Sequence, residues 1–133
     1  ATAANVARRA ARLSLVTGIV LCITIAALAP VLPHIFSDDA AVISRATTGT
    51  WWLAVILVPG AVAFAHDGIL IGAGDYRFLG RAAFGYLIVV LPIGVLTLLF
   101  PQLGIAGIWG GLLVWMLVRA VVNDRRTLHI LAA

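Results

Sequence analysis

Three stretches of this chain contain no charged residue: between Arg12 and Asp38, between Arg45 and Asp67, and between Arg81 and Arg119. No other feature limits the fold so tightly. A helix needs roughly 20 predominantly apolar residues to cross the hydrocarbon core of a bilayer. The first two stretches hold one such helix each, and the third is long enough for two. Composition agrees: 63% of the 133 residues are hydrophobic and 11% charged, where a soluble domain would be about a quarter charged. The expected fold class is therefore all-α, a polytopic membrane protein with four transmembrane helices.

The spans are placed by their punctuation. The first covers about 13–36, with Pro30 and Pro33 near its end and "SDDA" closing it. The second covers about 46–73 and opens with Trp51 and Trp52, as expected for an aromatic belt at the headgroup level. The third covers about 82–100. "FPQLG" (100–104) is a Pro/Gly turn, and the fourth span follows over about 104–122. Residues 1–12 then form a basic N-terminal segment, and 123–133 a tail lying outside the membrane. Short connections predict antiparallel neighbours. Cys22 is alone inside the first span, so no disulfide framework or paired-cysteine metal site is expected. No signal peptide is read at the start.

All nine basic residues are Arg. They flank apolar spans instead of forming a stripe on a soluble face, which points to lipid headgroups as partners and away from nucleic acid. Four spans place Arg8, Arg9, Arg12, Arg77, Arg81, Arg119, Arg125 and Arg126 on one side and Arg45 alone on the other. By the positive-inside rule both termini are cytoplasmic. Arg77, Arg81, Arg125 and Arg126 are candidate membrane-surface anchors, their stems snorkelling to phosphates.

The segment "AHDGILIGAGDYR" (65–77) concentrates the polar residues. A dinucleotide loop fails here: Arg77 stands where the third Gly of GxGxxG belongs, no βαβ context exists, and the chain has no Lys for a P-loop. Asp67 is sixteen residues past Trp51, about 24 Å along a helix, so it lies short of the cytoplasmic interface. Two readings stand: a gate or helix-contact residue near that interface, or a proton or cation site facing a cavity. Depth favours the first, because function is the stronger presumption nearer the midplane. Gly68 and Gly72 form a GxxxG, as do Gly107 and Gly111, and such spacing lets another helix approach closely. Gly74 is a candidate helix C-cap, and Asp75 a cap for the segment that follows. Pro59 and Pro92 are candidate helix bends, either static kinks or hinges of a moving bundle. His66 has no acid at helical spacing and His34 only Asp38, too few groups for a ligand set, so no metal site and no cofactor is expected. Asp38 and Asp39 read as a solvated loop. No catalytic set can be assembled, so an enzyme is not expected.

The run "LPHIFSDDAAV", then "LVPGAVAFAHDGILIGAGDYRFL", then two spans and a basic tail, resembles the C-terminal third of multidrug and toxic compound extrusion (MATE) transporters. The resemblance is to the branch named after the DNA-damage-inducible protein F (DinF). It rests on Ile35, Phe36, Asp38 and Val42, and on the run from Asp67 to Asp75. It implies a twelve-helix, two-lobed antiporter that exports organic cations or other small amphipathic compounds, coupled to H⁺ or Na⁺. The four spans would be the ninth to twelfth helices, in a bacterial cytoplasmic membrane. A four-helix piece cannot form the two-lobed cleft, so the expected partners include the missing N-terminal lobe or another chain. The rival is a small four-span scaffold or subunit that moves nothing. A flippase of lipid-linked saccharides would call for basic residues deep inside the spans, and the sequence shows only Arg119 within one, near its end.

Overall fold

The computed structural model describes residues 2–132; Ala1 and Ala133, the outermost residues of the expected N-terminal segment and tail, lie outside the described residues. The chain forms α1 (Ala3–Leu28), α2 (Ala40–Gly72), α3 (Tyr76–Leu99) and α4 (Gly104–Ala132), with short 3₁₀ turns at Leu32–Ile35 and Pro101–Leu103. Each of the four helices is long and apolar enough to cross a membrane. Helices suit that setting because every backbone N–H and C=O must be satisfied within the segment once water is gone.

The helices do not stop where the apolar spans stop. Residues 3–12 belong to α1, because "AANVARRAAR" is built from strong helix formers and holds no breaker. "NDRRTLHILA", which holds no Pro or Gly to stop a helix already running, likewise forms the last turns of α4 and not a separate tail. At its other end α1 stops short of the expected span. The helix ends at Leu28 with Ala29 as its cap, because Pro30 has no N–H to continue the ladder of helical hydrogen bonds, and Leu32–Ile35 then forms a 3₁₀ turn with Pro33 in its first positions. α2 begins six residues before the expected span, at Ala40 instead of 46. Its start is set by Asp39, whose carboxylate accepts from the N–H groups of Ala41 (2.8 Å) and Val42 (3.1 Å). Asp39 is thus an N-cap and not a free loop acid. α2 then runs for 33 residues, about 50 Å. It continues unbroken through Pro59, and α3 through Pro92.

α2 ends in a Schellman turn. The N–H of Asp75 donates to Leu70 O and that of Gly74 to Ile71 O, both at 3.0 Å. Gly74 takes φ +75°, where a side chain would be strained. Asp75 precedes α3 but makes no side-chain cap bond; its carboxylate is engaged elsewhere.

Consecutive helices α1 and α2 pack antiparallel, and so do α3 and α4. α2 and α3, though joined by a tight turn, touch little; α2 packs instead along α4. The two run parallel: Gly49 lies against Trp109 near their starts, and Asp75 meets Arg126 near their ends. The order across the layer is therefore α1, α2, α4, α3, with α2 and α4 at the centre. The buried apolar positions are mostly small, including Ala29, Ala54, Ala63 and Ala120. Lipid tails are as apolar as Leu, so helices in a membrane gain from close backbone approach more than from large side chains.

The two GxxxG pairs have different fates. Gly107 and Gly111 face α3: a Cβ on Gly107 would stand 3.0 Å from Thr97 Cγ2, and one on Gly111 3.1 Å from Ile93 Cγ2. Gly68 and Gly72 face open space, with no atom within 4 Å of an added Cβ. Within this chain they are not helix contacts. The tightest approach is at Gly18 of α1, where a Cβ would sit 2.6 Å from Ala61 Cβ and 3.1 Å from the Leu57 carbonyl oxygen. Gly18→Val should therefore lower stability by about 1–3 kcal/mol, the range for overpacking a tight contact. Gly68→Ala should be neutral or raise it by up to about 1 kcal/mol, as for an open helical glycine. Thermal melting of the purified variants in detergent separates the two; equal losses would refute this packing.

Candidate functional site

Asp67 lies on the face of α2 that meets α4, with its side chain 12% exposed. Its Oδ2 accepts from Arg119 Nη2 at 2.5 Å, and its Oδ1 accepts from Asn123 Nδ2 at 2.5 Å. Asn123 is fully buried, and its Oδ1 accepts from the hydroxyl of Tyr86 on α3 at 2.7 Å. One amide thus links three helices. The Arg119 guanidinium carbon sits 5.3 Å from the Phe64 ring centroid and 5.6 Å from that of Trp115, within the roughly 6 Å reach of a cation–π contact. Arg119 Nε is buried with no hydrogen-bond partner, an arrangement that costs about 1–3 kcal/mol.

Two further ties continue along the same interface. His66 Nδ1 lies 3.1 Å from Thr127 Oγ1, and its Nε2 lies 3.3 Å from Asp124 Oδ1. Asp75 Oδ2 accepts from Arg126 Nε at 2.7 Å, and Arg126 also lies over the Phe78 ring at 5.2 Å. Beside the first cluster is a cavity of about 440 Å³ between α2, α3 and α4. Asp67, Arg119, Tyr86 and Trp115 form its polar and aromatic wall; Ile71, Leu79, Leu87, Val90 and Leu112 supply apolar lining.

Of the sequence-expected residues, Asp67 is brought to α4, whereas Gly68 and Gly72 are not. Arg126 is held by Asp75, so it is not a free lipid anchor; Arg77, Arg81 and Arg125 remain exposed. His66 has an acidic partner after all, Asp124, supplied by another helix and therefore invisible to spacing along its own. Among the described residues no cluster of three or more His, Cys, Asp or Glu could hold a metal ion. Sequence reasoning missed Arg119, Asn123 and Thr127 as inward-facing groups. The signal was present: Trp115, Arg119, Asn123 and Thr127 recur every fourth residue, which places them on one helical face. Treating 123–133 as a separate tail hid that stripe.

The MatE family profile matches residues 1–101. The chain is 33% identical over 123 residues to Protein DETOXIFICATION 42 of Arabidopsis thaliana, an alignment covering 91% of this chain and 23% of that protein. It is 31% identical over 104 residues to Multidrug and toxin extrusion protein 1 of Oryctolagus cuniculus, covering 77% and 18% respectively. It is 35% identical over 97 residues to the chloroplastic Protein DETOXIFICATION 44 of Arabidopsis thaliana, covering 69% and 17%. The chain thus spans less than a quarter of the length of these curated relatives. No solved structure matches it.

The energetics of the central pair can be bracketed. Neutral interhelical hydrogen bonds in membranes average about 0.6 kcal/mol and reach about 1.7; breaking a buried ion pair costs about 3–5 kcal/mol. A double-mutant cycle on Asp67→Ala and Arg119→Ala, read by unfolding in detergent, should give a coupling energy above about 1.7 kcal/mol. A value near the neutral average would mean the pair is no stronger than an ordinary hydrogen bond.

Proposed function

This chain belongs to the MatE family, and on that premise we propose that it forms the last four helices of a multidrug efflux antiporter of the DinF-like branch. The transporter exports organic cations or other amphipathic compounds against an inward flow of H⁺ or Na⁺. The family match over residues 1–101 carries the reading. The names of the relatives, which speak of detoxification and of multidrug and toxin extrusion, support it. So does the buried Asp67–Arg119 pair, since ionisable groups inside membrane helices are expensive and tend to be retained for transport.

The placement of Arg supports a membrane orientation with both termini cytoplasmic. The rest of the transporter, either a preceding lobe of the same polypeptide or another chain, supplies the facing wall of the transport cleft. α1 and α3 offer surfaces for it, since both carry rows of exposed apolar side chains such as Val16, Val20, Phe84 and Ile88. The membrane is the bacterial cytoplasmic membrane. Within this reading Asp67 ties α2 to α4 near the cytoplasmic end, and the relative movement of the two helices runs through it.

Membrane vesicles carrying the native protein test the proposal. An imposed H⁺ or Na⁺ gradient should drive ethidium movement against that gradient, and Asp67→Asn should lower the rate. Ethidium movement indifferent to both gradients would contradict antiport, and wild-type rates in Asp67→Asn would remove the residue from the mechanism.

A further inference from the structure

We propose that Asp67, Phe64 and Trp115 form a binding box for a bulky organic cation, and that Arg119 fills this box as an internal stand-in for the ligand. One carboxylate beside two aromatic faces is the arrangement that attracts a weakly hydrated cation. Arg119 satisfies each element of it: Nη2 on Asp67 Oδ2, and the guanidinium over both rings. The inference rests on the export reading for its ligand class and adds the site and the occupant.

The two members of the ion pair are not held equally. Asp67 is anchored, because fully buried Asn123 donates to it and is itself held by Tyr86. Arg119 is the movable partner. It reaches Asp67 through one nitrogen, leaves Nε without a partner, and lines the cavity with its side chain 23% exposed. Its long stem allows the head to swing while the apolar carbons stay packed. The adjoining cavity of about 440 Å³ lies within the roughly 300–1,000 Å³ range of small-molecule sites. Among the described residues, Asp67 and Arg119 are its only charged lining residues. With Arg119 seated the wall is neutral; with Arg119 swung away it carries one negative charge, which suits a monovalent cation. An anion would instead have to displace Asp67, the anchored member. Exchange of Arg119 for the ligand also opens the ion pair between α2 and α4, so binding and helix movement become one event.

The test uses the native protein that contains this chain, purified in detergent, with tetraphenylphosphonium as the probe in equilibrium dialysis. Arg119→Met removes the internal competitor and should tighten binding by about tenfold or more, because apparent affinity is reduced by the fraction of sites already occupied. Adding Asp67→Asn to that variant should abolish the gain. Arg119→Lys keeps the charge but loses the planar fork; it should show a smaller gain, and it carries the test if Arg119→Met does not fold. Unchanged or weaker binding in both Arg119 variants would overturn the proposal. So would a gain for tetraphenylborate, the anion of the same shape, in Asp67→Asn without any gain for the cation in the Arg119 variants. Export of tetraphenylphosphonium by the wild type is scored separately. Export without a gain in the variants refutes the stand-in alone, whereas a gain without export leaves the stand-in in place and removes the export reading.

Discussion

A carboxylate inside a membrane helix has to be neutralised and hydrogen-bonded, and the arrangement of the helices follows from how Asp67 is satisfied. It takes its cation from Arg119 and its second donor from Asn123. Both lie on α4, four residues apart on one face. That requirement brings α4 beside α2 although the chain passes through α3 between them. Tyr86 then attaches α3 to the far side of Asn123. The remaining core is made largely of Ala and Gly, which permit close approach but specify little about angle or register. The polar ties specify both. His66 to Asp124 and Thr127, and Asp75 to Arg126, repeat the same parallel register toward the ends of the two helices.

Much of this was legible in the sequence. Charge-free gaps mark spans because a bilayer excludes unpaired charge, so the four helices and the turns at "FPQLG" and Gly74 could be read directly. The helix ends were harder. Hydropathy reports where lipid stops, whereas a helix continues until a breaker stops it, so α1 and α4 run on through basic segments that hold no Pro or Gly. Asp39 as an N-cap was within reach, since an Asp immediately before a helical run is the usual signature. The pairing of α2 with α4 was not readable. Short connections suggest that sequence neighbours pack together, and nothing along α2 or the turn after it shows that Asp67 meets Arg119 or that Asp75 meets Arg126. Nor could spacing separate the GxxxG that packs, at Gly107 and Gly111, from the one that faces open space at Gly68 and Gly72.

The same geometry bears on the proposed transport role. A bundle held by hydrophobic area alone would separate continuously, whereas one held by a few polar contacts can exchange them as discrete states. The Asp67–Arg119 contact combines a firmly held acid with an incompletely satisfied base beside a cavity. On the proposal above, it is the place where a small cationic compound and a helix movement compete for the same bond. On the proposed reading, the exposed apolar flanks of α1 and α3 are the faces left for the remainder of the transporter.

The central claim is that Asp67 and Arg119 are bonded to each other within the membrane. Solid-state NMR on the protein in bilayers measures this directly, through the dipolar coupling between ¹⁵N-labelled arginine Nη and the ¹³C-labelled carboxyl of aspartate. An Asp75→Asn background removes the Arg126 pair. The account predicts strong dephasing that disappears when Asp67→Asn is added. Weak dephasing, or a signal unchanged by Asp67→Asn, would contradict it.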